Sequence, residues 1–515
     1  MTTPAGSLPA HVDVLVVGAG ISGIGAAYHL QTECPDRTYA IVEARDDIGG
    51  TWDLFRYPGV RSDSDMHTLG FEFKPWVADK AIADGPSIMA YLRETIAEFG
   101  LDEHLHLGHR VRRLSWSSAE ATWTVHVDTD DGPTTITANF VSMCAGYYRY
   151  SEGHTPEFAG RDRFTGRIVH PQAWPEDLDY SGRRVVVIGS GATAMTLVPA
   201  MAAEAAHVTM LQRSPTYVVA APDTDTIANR LRRVLPTAAA YRVTRAKNTA
   251  FQQLMYKRMR KRPDKARATL LKRVHKALGP DYDVATHFSP RYDPWDQRLC
   301  LVPNGDLFDA INAGSASVVT DEIDTFTETG IALASGTHLD ADIIVTATGL
   351  HVVTLGEAEV VVDGQPVDFA ETWTYKGFMY SGVPNLASTF GYVNASWTLR
   401  ADLIAHAVCR LLNHMTATGT DTCTPRLRPS DATMEPQPWL DHLSSGYVQR
   451  ASHLFPKRGD REPWVNPQDY GKDKKMFRSA PVDDGVMRFT RAAGQRPAGD
   501  DPASVAAARG NQIAV

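Results

Sequence analysis

No two cysteines in this chain form a Cys-x-x-Cys pair: the five, at 34, 144, 300, 409 and 423, are scattered and odd in number. That excludes a dithiol redox centre of the disulfide-reductase kind, leaves no zinc site (no metal is expected), and fits reduced thiols in a cytoplasmic protein. The opening residues, MTTPAGSLPAHVD, lack the basic start and apolar run of a secretion signal, so no export is expected. Long apolar runs are equally scarce. One uncharged stretch, 185–203, reaches the nineteen residues that a membrane helix needs, but Gly189-Ser190-Gly191 and Pro199 within it favour a strand, a tight turn and a helix. Acid is nearly missing from one region: sixteen Lys and Arg lie between Arg230 and Lys276 against the single acid Asp264, although the whole chain carries a net charge of -8. Phe251, Leu254, Met255, Met259, Leu270, Leu271 and Val274 recur there at roughly helical spacing, which predicts a helical insertion with a cationic face. A solvated face is the simpler reading of that charge. Peripheral contact with an anionic membrane surface is the sharper one, since each Lys or Arg near such a surface contributes about 1 kcal/mol. No nucleic-acid-reading module is recognisable, and nucleic acid is not expected as a partner.

What is present is organised around glycine. At 515 residues the chain exceeds what one core serves, so two or three domains are expected. The first glycine cluster, Gly18-Ala19-Gly20-Ile21-Ser22-Gly23, follows the apolar run Val12–Val17 and precedes an Ala-rich segment. This is the strand, turn and helix of a dinucleotide fold. Gly18 allows the turn, Gly20 lets a pyrophosphate approach the backbone, and Gly23 lets the helix pack on the sheet. Glu43, twenty residues beyond Gly23 and just after the strand Tyr39–Val42, is placed to accept hydrogen bonds from a ribose. The second cluster, Gly189-Ser190-Gly191-Ala192-Thr193-Ala194, has the same context. After its next strand, however, stand Gln212, Arg213 and Ser214 and no acid, which suits the 2'-phosphate of NADPH. The alternative for Arg213 is an ordinary surface ion pair. FAD at the first site and NADPH at the second are the cofactors expected, in an α/β fold of two Rossmann-like dinucleotide-binding domains with a helical insertion.

Between the clusters, Phe164-Thr165-Gly166-Arg167-Ile168-Val169-His170-Pro171-Gln172-Ala173-Trp174-Pro175 fits F-x-G-x-x-x-H-x-x-x-W-P. It resembles the fingerprint of type I Baeyer-Villiger monooxygenases. Two further stretches resemble patterns of that family: Gly49 to Asp63, which includes Thr51, Trp52 and Tyr57, and Asp342 to Gly349. The resemblance runs to about Arg491, and Arg56–Phe71 and Pro294–Phe308 are similar to the branch that activates the thioamide ethionamide. It implies that O2 adds to reduced FAD to give a C4a-peroxyflavin, which inserts oxygen into a small organic ketone to give an ester or lactone; thioethers and thioamides are further substrates. It places Arg298 as the catalytic cation, Asp63 as its acidic partner, and Asp63, Thr51, Trp52 and Tyr57 in the flavin loop. One departure is Gln297, where classical members carry a Lys that helps to bind the 2'-phosphate, so more of the selection of NADPH over NADH falls to Arg213.

Taken alone, Asp63 reads as a helix cap beside Ser62, Ser64 and Asp65, and Trp174 and Trp52 read as packing anchors. His170 reads as a residue linking domains and not as a base. Competing functions are an N- or S-oxygenating flavin monooxygenase without ketone activity, and a noncatalytic flavoprotein acting as a redox sensor or membrane-bound partner. Motif placement predicts an FAD domain from 1–145 and 380–492, an NADPH domain from 150–217 and 291–379, a basic helical insertion at 218–290, and a disordered tail at 493–515. The stretch Gly391–Trp397 is expected to return beneath the flavin.

Overall fold

The computed structural model describes residues 7–440 and 445–492; the tail expected at 493–515 lies outside them. The chain is a mixed α/β protein built on two sheets. In the first, strand His11–Val17 lies between Tyr39–Val42 and the long strand Gly132–Met143, parallel to both. Its residues alternate between two cores: Val14 and Val16 join one, the first core, while Val12, Leu15 and Val17 join another. A central parallel strand covered on both faces needs such an unbroken apolar run. Strands Arg110–Ser117 and Thr122–Thr129 extend the sheet as an antiparallel meander.

The second sheet is wholly parallel, in the order Ala316–Thr320, His207–Gln212, Arg184–Ile188, Ile343–Thr346, Arg167–Val169. Val185 and Val187 face the second core, and Val186 and Ile188 face a separate one. The uncharged stretch is thus a strand followed by helix Ala192–Met201, with Pro199 inside it. No described helix is long and apolar enough to cross a membrane. Strands Tyr148–Gly153 and Leu350–Val352 pair antiparallel where the chain passes between the two sheets.

The return to the first sheet begins earlier than residue 380. Glu359–Val362 pairs with Arg110–Ser117, and Gln365–Pro366 follows it, before Leu386–Ser388 joins Gly132–Met143. Val360 and Val361 are buried against that sheet, a pairing partner more than two hundred residues upstream that no local motif could announce. The insertion likewise opens as a strand, Val218–Ala221, paired with Cys300–Pro303. Helices Thr226–Val234, Thr237–Lys261, Pro263–Leu278 and Val284–Phe288 then make up its bulk.

The expected cationic face is present only in part. Arg232, Arg245, Lys247, Lys257, Arg260 and Arg267 pair with Asp79, Asp402, Asp225, Asp469, Asp296 and Asp293, all of which except Asp225 come from other segments. Arg245 is buried and donates from Nη1 to the carbonyls of His67 (3.0 Å) and Gly70 (2.7 Å) while Nη2 reaches Asp402 (3.2 Å). It stitches the insertion to the first domain, and removing one partner of such a buried pair costs about 3–5 kcal/mol.

Candidate active site

Both glycine clusters open onto one cavity of about 800 Å³. Each sits between a strand end and a helix whose N-terminus has no side-chain cap and no acid in its first turn, Ile21–Glu33 and Ala192–Met201. Free N–H groups at two helix starts suit two anionic pyrophosphates. The first glycines are locked in place. Gly18 has φ +105 and a Cβ there would lie 2.7 Å from the Cys144 carbonyl oxygen; Gly189 has φ +140 with the Ala347 oxygen 2.3 Å away. A Cβ on Gly23 would meet the Gly18 oxygen at 1.8 Å, whereas Ala194 at the matching place is accommodated and fully buried. The middle glycines face open space: Gly191 has nothing within 4 Å of a Cβ, and Gly20 nothing nearer than 3.7 Å. The cradle that a dinucleotide requires is therefore present twice.

Glu43 is buried and lines the cavity, but its carboxylate also accepts from the Ala19 N–H (2.8 Å) and the Arg45 N–H (2.9 Å). It braces the first loop as well as offering an acceptor. Burial raises its pKa, against the pull of those N–H groups and Arg45. Thr51 begins the short helix Thr51–Leu54 on the cavity wall, and Trp52 packs against the first core. Tyr57 lines the cavity too, yet its ring belongs to the second core, and burial lifts its hydroxyl to about 12. The segment around it is a strap between the domains: Arg61 pairs with Asp306 at 2.5 Å. Ser190, Ala192 and Thr193 line the cavity at the second cluster. Arg213 lies there exposed, with no ion-pair partner among the described residues, and the Ser214 carbonyl accepts from Ser190 Oγ (3.0 Å). Gln212 turns inward to the His287 carbonyl and to Thr320. Gln297 lines the cavity beside Arg298.

The structure brings Arg298 and Asp63 together across 235 residues of sequence. Nη2 of Arg298 is 2.6 Å from Asp63 Oδ2, and its Nη1 donates to the Val393 carbonyl at 3.1 Å. Helix Met66–Leu69 starts after Asp65, so Asp63 is not its cap. Burial opposes the charge on Arg298, but Asp63 outweighs it and holds the pKa above the ordinary value. The loop that carries Arg298 is under tension: Trp295 adopts φ 77, rare for a bulky residue. It is held there by an indole N–H to Met259 sulfur contact (3.3 Å) and by the Arg260–Asp296 pair (2.6 Å).

Sequence reading missed three aromatic hydroxyls beside this pair. Tyr147, Tyr148 and Tyr447 line the same cavity, the first two in hydroxyl contact with each other. Burial pushes all three upward, so they are neutral donors at physiological pH. Tyr147 stacks on Trp397 at 5.1 Å, whose indole N–H donates to Ser22 Oγ (2.7 Å). The expected Gly391–Trp397 return is thus seated against the first fingerprint helix. For Tyr147 and Tyr148 the run Gly146-Tyr147-Tyr148-Arg149-Tyr150 was the only signal, an aromatic cluster with no spacing rule attached, and Tyr447 had none.

The Phe164–Pro175 motif stands outside the cavity wall. Phe164 is buried beside the second sheet, a Cβ on Gly166 would strike the Asp342 oxygen at 2.3 Å, and Trp174 packs on the second core, with Pro175 next to it. His170 Nε2–H donates to the Gly349 carbonyl while Nδ1 accepts from the Gln172 N–H, both at 3.2 Å, and burial keeps its pKa low. These partners assign a neutral ring braced where the chain crosses between domains. All five cysteines are buried free thiols, and no metal-holding cluster occurs among the described residues.

Residues 82–355 match the flavin-binding monooxygenase-like family, and residues 16–80 match an NAD(P)-binding Rossmann-like domain. The chain is 53% identical over 482 residues to the FAD-containing monooxygenase EthA of Mycolicibacterium smegmatis, covering 93% of this chain and 97% of that one. It is 49% identical over 483 residues to the probable FAD-binding monooxygenase AlmA of Acinetobacter baylyi, covering 93% and 96%. Among solved structures, an oxidized steroid monooxygenase bound to NADP superposes with a TM-score of 0.75 at 25% identity, over 93% of this chain and 100% of that one. Cyclohexanone-bound cyclohexanone monooxygenase shares the fold, with a TM-score of 0.72 at 20% identity over 93% and 99%.

Proposed function

Because the chain belongs to the flavin-binding monooxygenase-like family, we propose that it is a Baeyer-Villiger monooxygenase that inserts one atom of O2 into a small organic ketone to give an ester or lactone, and that it also oxygenates thioethers and thioamides. The observation that supports this most is the Arg298–Asp63 pair in the wall of a cavity shared by two dinucleotide cradles. Gly18, Gly20, Gly23, Glu43, Thr51, Trp52, Tyr57 and Asp63 hold FAD in this reading; Gly189 to Ala194, Arg213 and Ser214 hold NADPH. Bound there, the two cofactors supply hydride transfer and the activation of O2.

The protein's part is electrostatic. Oxygen insertion develops negative charge on oxygen, and a permanently charged guanidinium fixed at 2.6 Å by Asp63 stabilises it without reorganising during the reaction. Asp63 and the Val393 carbonyl restrict Arg298 to one orientation. The hydroxyl of Tyr447 and the one of the Tyr147–Tyr148 pair that does not donate to the other are donors for a substrate carbonyl, and the three rings, with Trp397, exclude water from the reacting atoms. The location that fits these parts is the cytoplasm, with peripheral contact to a membrane through the insertion.

Anaerobic mixing of the purified protein with NADPH, then with air and a simple ketone, tests the reading. Flavin bleaching followed by ester or lactone supports it. Bleaching and reoxidation that yield sulfoxide from a thioether but nothing from ketones would make the protein a heteroatom oxygenase. Cofactor choice gives a second expectation. Arg213→Ala should raise the KM for NADPH about tenfold or more, the loss of roughly one charge-assisted contact to a phosphate, and leave the KM for NADH unchanged. An equal effect on both cofactors would remove Arg213 from 2'-phosphate recognition.

A further inference from the structure

Of the eight large hydrophobic side chains that stand exposed among the described residues, six fall in one short region: Ile227, Val234, Leu235, Val243, Phe251 and Leu254. Val234 is 76% exposed, Phe251 61% and Leu254 60%. Single exposed apolar residues are unremarkable, but a cluster marks an interaction surface. Helix Thr237–Lys261 shows how the cluster arises. Ala240, Tyr241, Thr244, Arg245 and Thr249 face inward and are buried. Val243, Ala246, Ala250 and Leu254 recur three or four residues apart on the opposite side, all exposed, with Phe251 beside them. The helix is therefore apolar on its outer face as well as anchored by its inner one.

Charge surrounds this stripe. No acid occurs between Asp225 and Asp264. Six bases of the insertion are spent on ion pairs, but Arg233, Arg242, Arg258 and Lys261 are exposed and have no carboxylate partner among the described residues. An outward apolar stripe edged by free cations has the chemistry of an interfacial helix on anionic lipid. A second copy of this face is a poor occupant, because cations would meet cations. We propose that the outer face of Thr237–Lys261, with the corner at Val234 and Leu235, is a docking surface for an anionic lipid bilayer. This surface stands independently of which substrate is oxygenated. It also bears on the active site, because the inner face of the same helix holds the Arg298 loop through Met259 and Arg260 and holds Asp65 through Asn248 and Gln252 (2.9 and 2.7 Å).

Sedimentation of the full-length, FAD-loaded protein with vesicles tests the proposal, comparing phosphatidylglycerol mixed into phosphatidylcholine with phosphatidylcholine alone. Binding is expected to the anionic vesicles only and to weaken as salt rises. The double variant Phe251→Gln, Leu254→Gln should bind at least tenfold more weakly while its NADPH oxidation in solution is unchanged. A charge variant, Arg233→Glu with Arg258→Glu, should lose binding while keeping the stripe. Absence of binding to anionic vesicles, or equal binding by both variants, overturns the proposal. So does concentration-dependent self-association, without lipid, that disappears in the Phe251, Leu254 variant.

Discussion

Replacing Arg298 with alanine should cost oxygen insertion about 10²- to 10³-fold in kcat, the penalty for removing one preorganised donor from developing negative charge. NADPH should still bleach the flavin, because neither dinucleotide cradle depends on this side chain. Reducing equivalents would then be lost to hydrogen peroxide, so the ratio of product formed to NADPH consumed is the quantity to measure. Arg298→Lys should recover little. An ammonium is a point charge on a flexible stem and cannot reach both Asp63 and the Val393 carbonyl as the planar guanidinium does, at 2.6 and 3.1 Å. Product yield that tracked NADPH consumption in Arg298→Ala would remove the residue from the chemistry.

The second large effect lies in the first cradle. Gly18→Ala puts a side chain at φ +105, and its Cβ falls 2.7 Å from the Cys144 oxygen, a backbone atom that cannot step aside. Strain of about 1–3 kcal/mol follows from the dihedral alone, equivalent to about five- to a hundred-and-fiftyfold in FAD affinity if the loop relaxes only when the flavin is absent. The variant should purify with little yellow colour and regain flavin only at high added FAD. Gly20→Ala separates the causes, since the Cβ there has no protein atom nearer than 3.7 Å. Its fold should match the parent in thermal melting while its FAD binding is weakened. Full flavin content in both variants would mean that the pyrophosphate does not approach this loop.

Local sequence carries the elements whose chemistry is local. Val12–Val17 and Val185–Ile188 become central parallel strands because an unbroken apolar run has to be covered on both faces, and the glycines after each mark a turn that a Cβ would block. Other features depend on partners distant in sequence. Glu359–Val362 is four residues whose strand identity comes from Arg110–Ser117, and Val218–Ala221 depends in the same way on Cys300–Pro303. Nothing within 230–276 says that Arg245 should be buried; the carbonyls of His67 and Gly70 and the carboxylate of Asp402 decide it. Tyr57 shows the same limit within the site. Its motif places it near a flavin, but only the assembled domains reveal that its ring packs into the second core. The closeness of Arg298 and Asp63 followed from family resemblance and not from spacing. The tyrosines beside them had neither signal, because an aromatic residue looks the same in sequence whether it packs or lines a cavity.

The most direct measurement is turnover of a ketone with NADPH under ¹⁸O2, with the product analysed by mass. Incorporation of a single ¹⁸O atom into an ester or lactone is the predicted result. Consumption of NADPH with unlabelled ketone recovered intact, and label found only in hydrogen peroxide or in a sulfoxide from an added thioether, would contradict it.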